Sequence, residues 1–159
     1  MRYLLKSQSM KGLMRQSLVA AAMALGVSSV ALADNDCTLK TLRGSYVFAA
    51  NGYNIVSGVA QPKTIVEVIE FNGDGTLSVP AATRSLNGAV ARSPAGGTGS
   101  YTIDSGCMGT ITFTGGPSFD IFISPKGSTL WMIQNNSDTV FQGTAARVSE
   151  LSGIFGPAK

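Results

Sequence analysis

Between Gly44 and Val148 the chain repeats one pattern. Short segments in which Val, Ile, Thr, Phe and Tyr alternate with polar residues are each cut off by a glycine-rich turn. Side chains alternate across a strand with a period of two, so this pattern gives each strand an apolar and a polar face. Eight segments carry it, at residues 45–52, 64–72, 76–84, 99–104, 108–114, 118–124, 129–135 and 139–148. Asn72-Gly73-Asp74-Gly75 is a hairpin turn, because Asn and Gly accept the positive φ that tight hairpins require. Ser105-Gly106, Gly115-Gly116-Pro117, Pro125-Lys126-Gly127 and Asn136-Ser137-Asp138 read the same way. Short turns make neighbours in sequence neighbours in the sheet. The expected fold is therefore all-β: an eight-stranded antiparallel up-and-down barrel, whose closure removes the exposed edges. An open β-sandwich is the alternative. The stretch 85–98, with Pro94, Gly96 and Gly97, reads as a long mobile loop.

The pattern begins only after a different kind of segment. Arg2, Lys6, Lys11 and Arg15 precede an alanine-rich apolar run, and Ala31-Leu32-Ala33 has the small-x-small form that signal peptidase cleaves. Residues 1–33 are expected to be a cleaved signal peptide, and 34–159 a single barrel domain. The apolar run falls short of the roughly 20 residues of a spanning helix, so no stable membrane span is expected in the mature chain. The destination is periplasmic or secreted.

Removing the leader changes the charge. Of twelve basic residues four lie in it, against none of the nine acidic ones, which leaves eight basic and nine acidic. The net charge of +3 belongs to the leader, and no nucleic-acid partner is expected of the mature domain. The chain has no His, so it lacks both the commonest general base and the commonest metal ligand. No metal site and no cofactor are expected. Its two cysteines, Cys37 and Cys107, both follow the leader; in an oxidising compartment they are expected to form one disulfide.

The two-residue period places Ile65, Glu67, Ile69 and Phe71 on one face, then Tyr101 with Ile103, Ile111 with Phe113, Phe119 with Ile121 and Ile123, and Phe141, Gly143, Ala145 with Arg147. These faces are expected to point inward, and Thr110, Thr112 and Thr114 outward. The first and seventh strands are apolar on both faces and take no phase from the sequence, so Trp131 points either way. Two inward residues are charged, Glu67 and Arg147. A lone buried charge is costly, so each needs a partner. They are expected to serve as an anchor for a ligand headgroup or as an acid/base carboxylate with a cationic stabiliser, or else to form an ion pair across the lumen, or Arg147 to be a barrel-end arginine packed on the N-terminal strand.

Gly44-Ser45-Tyr46 opens the first strand behind a short helical turn, and Arg147 lies near the end of the last. This resembles the calycin, or lipocalin-type, arrangement, in which a Gly-x-Trp at the first strand is covered by an arginine from the chain's end. Tyr46 stands where the Trp would be. The resemblance implies an eight-stranded barrel with a ligand cavity, closed at its bottom by Arg147.

Three functions are consistent with these residues. The first is an exported barrel that binds a small apolar or amphipathic ligand through Tyr46, Glu67, Tyr101, Phe113, Phe119 and Arg147. The second is a barrel cyclase or isomerase, with Glu67, Tyr46, Tyr101 and Arg147 as the candidate groups. The third is a structural or surface-interaction protein with a filled core that acts through the 85–98 loop. An outer-membrane barrel ranks behind them, because several strands are shorter than the roughly 9–11 residues that spanning requires.

Overall fold

The computed structural model describes residues 36–148. The expected signal peptide lies outside them. Eight strands follow a single 3-10 turn, Leu39–Thr41. They are β1 (Arg43–Val56), β2 (Val59–Asn72), β3 (Thr76–Leu86), β4 (Ala89–Ile103), β5 (Met108–Phe113), β6 (Ser118–Ile123), β7 (Thr129–Gln134) and β8 (Thr139–Arg147). Each pairs antiparallel with the next, and β1 also pairs with β8, so the barrel is closed and the sandwich alternative is set aside. Among the described residues no helix is long and apolar enough to cross a membrane.

Half of the wall is taller than the other half. β1 to β4 run on into two extended hairpins, while β5 to β7 are six residues each. The expected loop at 85–98 is instead the β3–β4 hairpin. Its turn is Asn87-Gly88, with φ of 48° and 85°, the positive pair that a two-residue hairpin demands. Ser57-Gly58 turns β1 into β2 in the same conformation.

The expected inward phase holds on the strands the sequence phases, except that Val68, between Glu67 and Ile69 on β2, is buried as well and Arg147 at the end of β8 is exposed. Ile69, Phe71, Tyr101, Ile111, Phe119, Ile121, Ile123, Phe141 and Ala145 are buried, and Thr110, Thr112 and Thr114 are exposed. Pairing settles the two unphased strands: Tyr46 and Phe48 point in on β1, and Leu130 and Met132 on β7. Trp131 therefore points out, 52% exposed, opposite Phe122 on β6 at 50%. Gly143 is where β8 passes tightly against β1, since a Cβ there would land 2.5 Å from that of Ala50.

One irregularity matters for the lumen. The β2–β3 register shifts between Val68 and Glu70, where β3 carries an additional residue at Val79-Pro80-Ala81. Pro80 has no N–H to lose from a ladder, so a bulge accommodates it. The inner face of β3 consequently passes from Leu77 and Val79 to Ala82 and Arg84.

The lower end is filled. Tyr46, Phe71 and Tyr101 stack edge to face, with centroids 5.1 Å apart in both pairs, a preferred geometry for aromatic rings. The Tyr101 hydroxyl donates to the carbonyls of Leu39 and Leu42 at 2.9 and 3.0 Å, which fastens the 3-10 turn under the floor. The Tyr46 hydroxyl donates to the Gly127 carbonyl. Arg147 lies over the Tyr46 ring, donating from Nε to the Tyr46 hydroxyl at 3.0 Å and from Nη2 to the Thr41 carbonyl at 2.9 Å. A disulfide between Cys37 and Cys107, Cα atoms 5.0 Å apart, ties the N-terminal segment to the β4–β5 turn.

Candidate functional site

Above this floor the lumen is open. A cavity of about 340 Å³ occupies the upper half of the barrel, at the small end of the roughly 300–1,000 Å³ usual for ligand pockets. Its two walls differ in chemistry. Phe48, Phe113, Phe119 and Phe141 form an aromatic wall on β1, β5, β6 and β8. Phe119 sits at its centre, with ring centroids 5.8, 6.0 and 6.4 Å from those of Phe48, Phe113 and Phe141. Lys63, Glu67, Arg84 and Ser93, interleaved with Ile65 and Ala82, form the facing wall on β2, β3 and β4.

Glu67 is the deepest charged group of the cavity. It pairs by register with Phe48 on one side and Ala82 on the other, neither of which offers it a hydrogen bond. Only 8% of the residue is exposed. Among the described residues its carboxylate makes no hydrogen bond and no close ion pair, and no side-chain oxygen there is sealed away without a partner. The carboxylate therefore faces the cavity. Burial raises its pKa from 4.5 to about 7, opposed by the more distant charge of Lys63; desolvation disfavours the charged form of a carboxylic acid.

Lys63 bars the mouth. Its ammonium donates to Gln134 Oε1 on β7 at 3.0 Å and sits 4.2 Å from the centroid of the Phe141 ring, a cation–π contact. Burial lowers its pKa and Arg84 lowers it further, while Glu67 raises it. Arg84 follows Ile65 across the β2–β3 ladder and is exposed toward the mouth.

Of the six residues expected at a ligand site, the fold brings three to this cavity: Glu67, Phe113 and Phe119. Tyr46, Tyr101 and Arg147 are in the floor instead, each engaged by backbone carbonyls there. Burial raises the pKa of both tyrosines, with Arg147 opposing at Tyr46, so both phenols remain neutral donors. Of the alternatives for the two charges, the ion pair of Glu67 with Arg147 does not form, and Arg147 is the barrel-end arginine packed on β1. Arg147 pairs by register with Tyr46 and Glu67 with Phe48, one inward position further up β1. Phe48, Lys63, Arg84 and Phe141 line the cavity in addition to the residues expected there. Phe141 was already in phase with the interior; Lys63 was in phase with Glu67 but one residue before the expected start of β2.

Among the described residues no group of three or more His, Cys, Asp or Glu lies together. No protein-family model and no curated protein matches the chain. Among solved structures the chain is similar to a de novo designed fluorescence-activating β-barrel, at 14% sequence identity and a TM-score of 0.44, over 70% of this chain and 99% of that one.

Proposed function

We propose that this is an exported barrel that binds one small apolar or amphipathic molecule in its upper lumen. The observation that carries the reading is the cavity itself: aromatic on one side, with the carboxyl of Glu67 turned into it and, among the described residues, without a hydrogen bond or a close ion pair. A barrel needed only as a scaffold gains nothing from burying a carboxyl beside open space, which costs stability. Arg147 over Tyr46 supports the calycin-type likeness, with the closed bottom which that likeness implies. The basic and apolar segments before Ala33 support export, and the disulfide agrees with an oxidising compartment.

The binding test is a titration with N-phenyl-1-naphthylamine, a neutral fluorescent probe. Saturable binding with one site per chain is expected, and Ala82→Phe, which fills the cavity, is expected to abolish it. Binding that survives Ala82→Phe in a folded variant places the probe elsewhere and sinks the reading. For export, the intact mass of protein recovered from periplasm or medium is expected to correspond to a chain beginning at Asp34.

The pKa of Glu67 favours a second reading, a barrel cyclase or isomerase with Glu67 as its acid–base group, since proton transfer is most efficient when the catalytic pKa lies near the working pH. An NMR titration that puts Glu67 in the ordinary carboxylate range removes this second reading.

A further inference from the structure

The charges around the cavity specify more than an apolar occupant. Lys63 on β2 and Arg84 on β3 both border the mouth, close enough for Arg84 to depress the lysine's pKa. Neither has a carboxylate in ion-pairing contact among the described residues: Lys63 is held by the neutral Gln134 amide and the Phe141 ring, and Arg84 has no hydrogen bond. Among the described residues the only acidic group lining the cavity is Glu67. The mouth is therefore positive whichever protonation state Glu67 takes. Like charges brought together without a counterion raise each other's energy, and an anion placed between them relieves it.

The shape narrows the occupant. About 340 Å³ is little room for a long acyl chain. The four phenylalanines form a wall centred on the Phe119 ring, and aromatic rings pack on one another in offset or edge-to-face geometry. A one- or two-ring molecule fits against that wall while a substituent on its edge reaches the opposite side.

Resting on the ligand-binding reading above, we infer that the ligand is a small aromatic anion, its ring against Phe113, Phe119 and Phe141 and its carboxylate, sulfonate or phenolate between Lys63 and Arg84. The anion replaces the missing counter-charge at the mouth. Glu67, below it, offers a hydrogen bond from its protonated form to a polar atom on the ring.

Three probes of one ring system separate this from the simpler reading. They are naphthalene-2-sulfonate, neutral 2-naphthalenemethanol and cationic 2-naphthylmethylammonium, titrated at pH 6 and low salt. The sulfonate stays ionised throughout, so its own protonation does not enter. It is expected to bind at least about tenfold tighter than the alcohol, and the ammonium weakest, with the advantage shrinking as salt rises. In Lys63→Gln/Arg84→Gln the alcohol dissociation constant divided by that of the sulfonate is expected to fall toward one. Arg84 is exposed, so Arg84→Gln alone serves if the double variant does not fold, with a partial fall expected. The inference is overturned, and the ligand-binding reading kept, if the alcohol binds as tightly as the sulfonate or the ammonium binds tightest. Failure of all three probes to bind overturns both.

Discussion

Replacing Glu67 with Gln should stabilise the protein at alkaline pH and do little at acid pH. The side chain keeps its shape and loses its titration. In the folded state burial holds the Glu67 carboxyl at a pKa of about 7, against 4.5 for the ordinary carboxyl. Below 4.5 both states are protonated and Glu67 costs nothing. As pH rises from there, the unfolded chain ionises first and is favoured; once pH passes about 7 the folded state carries the full penalty. Each pH unit over which the two states differ in protonation is worth about 1.4 kcal/mol, so the gap from 4.5 to about 7 amounts to about 3 kcal/mol. Among the described residues Lys63 and Arg84 are the other charged groups on the cavity wall, and both are present unchanged in the variant. Urea unfolding of wild type and Glu67→Gln at pH 5 and pH 8 measures the difference, which cancels the titration of every other carboxylate. The expected advantage of the variant is under about 1 kcal/mol at pH 5 and about 3 kcal/mol at pH 8, the latter near 10 °C in Tm for a domain of this size. A difference that does not change with pH, or a wild type more stable than the variant at pH 8, refutes the reasoning.

Other consequences concern the floor and the crosslink. Tyr46→Phe removes the donor to the buried Gly127 carbonyl and the acceptor for Arg147, and should cost about 1–3 kcal/mol in urea unfolding, leaving probe affinity in the upper lumen within a factor of about two. The disulfide closes a loop with a sequence separation of 70; Cys37→Ser/Cys107→Ser should lose about 4 kcal/mol in the chain-entropy account, read as the same loss on adding reductant to wild type. Gly143→Ala drives a Cβ into β1 and should lower stability by about 2 kcal/mol or more, measured as a fall in Tm.

Much of the barrel was legible because its period is short and its turns are chemically explicit. Tyr101, Ile111 and Phe119 each lie on an apolar face flanked by polar neighbours, and each is buried. Where both faces are apolar, as around Tyr46 on β1 and Trp131 on β7, periodicity carries no sign, and only pairing with β8 and β6 supplied it. The 85–98 stretch carries Pro and glycines that signal a loop, although Asn87-Gly88 itself is a hairpin signal. Arg84 was hidden for a different reason. Alternation carried from Leu77 and Val79 sends it outward, and only the additional residue at Pro80 turns it into the lumen. The site divides along the same line: Glu67, Phe113 and Phe119 follow from simple phase, whereas separating the filled floor of Tyr46, Tyr101 and Arg147 from the open cavity depends on where side chains along the barrel axis run out of volume.

The central claim is that the upper lumen, and not the outer face, receives a small molecule. A crystal structure of the mature protein with 2-naphthalenemethanol tests it most directly. The account predicts the ring system inside the barrel, against Phe119 and within reach of Glu67. A naphthalene seated on the outer face at Phe122 and Trp131, with the upper lumen closed by its own side chains, would contradict it.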